Sequence, residues 1–155
     1  MAKASQTIEC MLPGYQSDRK EWRRQILNRA RKAAIGTGRK WTSTGPFEVV
    51  VLLYLTPGKQ YDKHDVDNRL KDVLDGLQGA FNLKAEGKKR AKGRVIRNDA
   101  SVCRVIVEKQ PRPKKYRNSN DPPGGRLLIR PYRKHRWPLQ MTKAGKNLRR
   151  RKPVA

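Results

Sequence analysis

A chain of 155 residues has the length of one domain around one core, so two full domains are not expected. Hydrophobic residues make up 35% of it and charged residues 33%, which limits that core to a modest size. Its 38 Lys and Arg against 13 Asp and Glu give a formal charge of +25, a self-repulsion that a polyanion relieves, so nucleic acid is the expected partner.

Residues 7–12 form a short apolar run closed by Pro13-Gly14 and read as an edge strand. Ser17 or Asp18 offers a helix cap, with Glu21 three residues past Asp18 in capping-box spacing. Trp22, Ile26, Ala30 and Ala33 recur at helical intervals while Arg19, Arg23, Arg24, Arg31 and Lys32 take the other faces. This first helix is expected on the surface, stopped at Gly36-Thr37-Gly38. The most hydrophobic run, Phe47–Leu55, is rich in β-branched residues and predicts a central strand buried on both faces. A second helix is predicted from Val66 to about Phe81, because Val66, Leu70, Val73, Leu74, Leu77 and Phe81 share one stripe. Gly76 and Gly79 lower its propensity.

Residues 84–97 hold seven basic residues and one acid, and read as an exposed basic excursion. A third strand is predicted over residues 101–108, a Pro/Gly-rich linker over 111–125 and a last strand over 126–130. The order β-α-β-α-β-β describes a small single α/β domain, with a mixed sheet and two main helices, over residues 1–131. Residues 132–155 form a basic tail, with nine Lys or Arg and no acid beyond Tyr132, expected to be disordered when free.

No stretch approaches the roughly 18 to 20 apolar residues of a membrane span, and the N-terminus lacks a secretory signal's apolar segment. Cys10 and Cys103 stand far apart in no CxxC spacing, so neither a disulfide framework nor a zinc site is expected, and a reducing, cytoplasmic compartment is.

In so basic a chain the acids are informative, and five of the 13 lie between Asp62 and Asp75. Asp65 and Asp67 alternate at the entry of the second helix, facing the positive end of its dipole, where a hard cation would meet several oxygens. Asp67, Lys71 and Asp75 then follow at i, i+4 and i+8. A lone Asp before a helix is most often an N-cap, and Asp67 with Lys71 most often an ordinary helix pair. Two acids at i, i+2 beside an Asn, a Lys one turn on, and a later Asn98-Asp99 before a strand exceed that explanation. They are the parts of a divalent-metal nuclease: oxygen ligands for the ion and a cation to offset charge developing on phosphate.

The run Asp65-Val66-Asp67-Asn68-Arg69-Leu70-Lys71-Asp72-Val73-Leu74-Asp75-Gly76-Leu77, followed by Asn98-Asp99-Ala100-Ser101-Val102, resembles the RusA family of Holliday-junction resolvases. That family's pattern is D-x-D-N-x-x-K-x-x-x-D-x-L and then an Asp pair before a strand; here Asn98 takes the first place of the pair. The resemblance implies a Mg²⁺-dependent endodeoxyribonuclease of DNA recombination and repair, of bacterial or phage type, a homodimer that cuts branched double-stranded DNA symmetrically at four-way junctions. It puts the essential carboxylates, as metal ligands, on Asp65, Asp67 and Asp99, and the essential lysine on Lys71.

Other constellations point less far. His64 beside Asp65 is a candidate general base, though such a residue is more often a solvated loop histidine. Ser101 and Cys103 lack a His at a nucleophile's spacing. Trp22 and Trp41 are candidate base-stacking residues, with core the commoner role for Trp22; Trp137, among Lys134, His135 and Arg136, is the better candidate. Composition alone favours a non-catalytic basic nucleic-acid-binding protein, ribosomal or architectural; the clustering of carboxylates, which repel phosphate unless a metal bridges the two, counts against it.

Overall fold

Of the two candidate caps, Ser17 and Asp18, it is Asp18 that opens the first helix: its side chain accepts a hydrogen bond from the Glu21 amide, and α1 runs over Arg19–Gly36. A computed structural model describes residues 6–55, 65–81 and 93–134. Before α1 lies β1 (Ile8–Leu12); after it come β2 (Phe47–Leu55), α2 (Val66–Leu77), β3 (Val102–Pro111) and β4 (Gly125–Pro131). These form a small single-domain α/β fold around one mixed four-stranded sheet, in the order β1-β4-β2-β3. β2 and β3 are parallel, joined through α2, while β4 is antiparallel to both β1 and β2.

Every residue of β2 is buried, as its near-continuous apolar run predicted. Alternation then divides the strand. Val49, Val51 and Leu53 join Trp22, Ile26, Val73 and Leu77 in the main core, whereas Val50, Leu52 and Tyr54 join Leu128 in a smaller cluster on the other side, against which Ile106 and Tyr116 pack. Glu48 belongs to the second face and is 1% exposed. Its register partners on both neighbouring strands are arginines, Arg104 and Arg130, and both pair with its carboxylate. Register thus supplies this buried acid with a cation from each side.

Three expectations are corrected. α2 ends at Leu77 rather than about Phe81, because Gly79 adopts a left-handed φ of 73° that stops the helix. Gly76 is needed where it stands: a Cβ there would lie 2.8 Å from the Arg23 carbonyl oxygen, so its absence lets α1 and α2 approach. Arg23 itself, expected on an outer face of α1, is 2% exposed. The basic excursion is not wholly exposed either. Val95 and Ile96 are buried in the main core, and both donate their backbone N–H to the Leu77 carbonyl; residues 84–92 lie outside the described residues. The linker after β3 includes one 3₁₀ turn, Lys114–Tyr116. Among the described residues no helix is long and apolar enough to cross a membrane.

Candidate nucleic-acid and metal site

The two leading acids lie on the first turn of α2. Asp65 is its N-cap, with one carboxylate oxygen accepting from the Asp67 amide at 3.1 Å and the other from the Asn68 side-chain amide at 3.4 Å. Asp67 and Lys71 are both exposed. Among the described residues the Asp67–Lys71 ion pair that helix spacing allows is not made. An acid and a base one turn apart are thus left facing solvent.

Asp99 stands in the 3₁₀ turn Asp99–Ser101 that leads into β3, and its carboxylate accepts from the side-chain amide of Gln78, the C-cap of α2. Burial pushes the Asp75 carboxyl up, the charges of Arg23 and Lys71 pull it down, and Asp99 and Asp72 push it up again. Asp75, Lys71 and Asp99 therefore share one electrostatic neighbourhood at the C-terminal half of the helix. A helix of 12 residues spans about 18 Å, so Asp65 and Asp99 sit toward opposite ends of α2, with Lys71 between them.

This bears on the ion that the family resemblance implies. Among the described residues no group of three or more His, Cys, Asp or Glu side chains is placed to hold one metal. Asp65 and Asp67 do supply the hard oxygen donors that Mg²⁺ takes, and Mg²⁺ commonly uses one or two carboxylates with water and substrate phosphate completing its shell. The pair fits the ion's chemistry; Asp99 is not gathered with it.

Asp72, given no separate role by its sequence position, is the best-anchored acid of the run. It is 1% exposed and accepts from Arg23 at 2.6 Å and from Arg19 at 2.9 Å. Burial raises its pKa, but the hydrogen bonds and charges of Arg19 and Arg23 outweigh that and hold the carboxyl below its ordinary value. No signal in the sequence set it apart: Asp72 lies off the Val66, Leu70, Val73, Leu74 and Leu77 stripe of α2, and it is buried because Arg19 and Arg23 reach it from α1.

Trp22 is core, its ring N–H donating to the Pro13 carbonyl at 3.0 Å. Trp41 stacks on Phe47 at 5.3 Å and donates to the Val95 carbonyl, which makes it a packing residue. His64 and Trp137 lie outside the described residues. Ser101 is buried and its hydroxyl donates to the Asn98 side chain, while Cys103 is exposed. No protein-family model matches the chain, and no curated protein matches it.

Proposed function

We propose that this protein is a Mg²⁺-dependent endodeoxyribonuclease acting on branched double-stranded DNA, with four-way junctions as its substrate and a homodimer as its working form. The observation that carries the reading is the exposed pair Asp65 and Asp67 at the N-terminus of α2, with Lys71 one turn on and without an ion pair among the described residues, in a chain of charge +25. Uncompensated carboxylates repel phosphate on such a surface and become useful when a cation bridges the two. Asp65 and Asp67 would hold the ion, with Asp99 added by the family resemblance. A bound Mg²⁺ polarises a phosphodiester and lowers the pKa of water. Lys71 places a positive charge where phosphate oxygens gain negative charge during displacement. Two-fold symmetry would set two such sites on related strands of a junction.

The second reading, a nucleic-acid-binding protein without catalysis, is favoured by one observation: one oxygen of Asp65 caps α2 and the other accepts from the Asn68 side chain, a sufficient reason for that residue. Incubating a labelled four-way junction with the purified protein, with and without Mg²⁺, separates the two. Nicks that require Mg²⁺ support the nuclease; a mobility shift without nicks supports the binder. Sedimentation equilibrium tests the dimer.

A further inference from the structure

We propose that a pocket at the carboxyl end of β2 receives one unstacked nucleotide of the bound DNA, its base against the Tyr15 ring and its phosphate on Arg112. The inference rests on the DNA-directed reading above and adds a subsite to it.

The pocket, of about 310 Å³, lies between the β1–α1 turn, the last residues of β2, Arg69 on α2, Arg112 immediately after β3, and the segment before β4. That volume is at the lower end of the range of about 300–1,000 Å³ for small-ligand sites, enough for a single nucleotide and too small for a duplex. Its position ties it to the candidate acids. Arg69 is one turn past Asp65 on the same helix, so a strand with a phosphate at Asp65 and Asp67 has a neighbouring nucleotide within reach of the pocket.

Tyr15 is 45% exposed, yet its ring is held. The Arg69 guanidinium sits 3.0 Å from its centroid and the Trp22 ring meets it edge-on at 5.7 Å. A fixed, solvent-facing aromatic ring beside cationic groups is what a base stacks on when it leaves the duplex, and stacking accepts any base because each has a π face. Arg112 supplies the second half. Its backbone N–H donates to the Leu55 carbonyl at 3.1 Å, anchoring the residue, while its side-chain Nε is buried and has no hydrogen-bond partner among the described residues. Arg112 lines the pocket, and a phosphate oxygen is the acceptor a guanidinium matches best. Asp121, the one carboxylate in the lining, is exposed.

The test uses the full chain in EDTA, where no cleavage occurs, and measures anisotropy of a labelled single strand and of a fully paired duplex. Tyr15→Leu keeps an apolar contact for Trp22 and removes stacking; Arg112→Met keeps the stem and removes the charge. Each should weaken single-strand binding about tenfold and duplex binding by less than about threefold. Equal losses on both shapes, or no loss on either, overturn the proposal. Should both variants fail to fold, photo-cross-linking of a 5-iododeoxyuridine strand to the unaltered protein decides: adducts on Tyr15, Trp22 or Tyr54 support the pocket, and adducts only elsewhere overturn it. Absence of Mg²⁺-dependent nicking would refute the nuclease while leaving this comparison intact, so the two failures are distinguishable.

Discussion

Asp72 on α2 and Arg23 on α1 form the contact that fixes one helix on the other: 2.6 Å apart, with side chains 1% and 3% exposed. Removing one partner of a buried pair strands the other charge, which costs about 3–5 kcal/mol. Asp72→Asn should therefore destabilise the fold by about 3 kcal/mol, the low end because Asp75 also reaches Arg23 at 3.0 Å. Since the folded carboxyl lies below its unfolded value, its contribution is present above about pH 4 and fades as pH falls further. Urea titrations at pH 7 and pH 3 check both: the deficit of the variant should shrink in acid, and a deficit independent of pH would contradict the pairing.

Gly76 is the steric counterpart of that ion pair. An alanine there gains about 1 kcal/mol of helix propensity but sets its Cβ 2.8 Å from the Arg23 carbonyl oxygen, against backbone that cannot swing aside. Gly76→Ala should lower stability by a net ~1–2 kcal/mol, read as a lowered melting temperature. A variant more stable than the parent would show that the helices do not approach this closely.

Elements governed by local pattern were legible in the sequence. The Asp18 cap, the nine residues of β2 and the four-strand, two-helix order follow from side-chain chemistry and periodicity, which act over a few residues. Paired charges resisted the same reading, because Arg23 and Asp72 are 49 positions apart and each resembles surface charge until its partner is known. Glu48 was absorbed into an apolar strand for the same reason: its two arginines arrive only through sheet register. The acids at Asp65 and Asp67 were legible as a pair, whereas the place of Asp99 beside Gln78 depends on how the chain returns to α2.

The role of the acids is tested by amide substitution. Asn caps a helix about as well as Asp, so Asp65→Asn leaves α2 capped and removes only charge. Asp65→Asn, Asp67→Asn and Asp99→Asn should each abolish Mg²⁺-dependent junction cleavage while leaving junction affinity unchanged or higher, since less negative charge faces phosphate. Parallel loss of binding and cleavage would mark the three as structural.

Lys71 distinguishes chemistry from packing more sharply, because it is exposed and forms no ion pair among the described residues. Lys71→Ala should change stability by less than about 0.5 kcal/mol yet slow cleavage by about a hundredfold or more. Single-turnover cleavage alongside thermal unfolding measures both. Near-normal turnover would return Lys71 to the status of a solvated surface charge.

The basic tail should act on affinity alone. Residues 111–155 hold 15 Lys or Arg against the single acid Asp121, and Asp65, Asp67, Lys71 and Asp99 all precede them. Each phosphate that the tail neutralises releases counterions and adds about 0.9 to the slope of log affinity against log salt. Deleting residues 134–155 removes eight of those cations and should weaken binding to every DNA shape, flatten the slope, and leave Mg²⁺-dependent cleavage measurable at saturating protein and low salt. β4 ends at Pro131, so the shortened chain keeps all four of the strands described. Tight binding with an unchanged slope would remove the tail from the DNA interface; normal binding without cleavage would make it part of the active site and reassign the chemistry now given to α2.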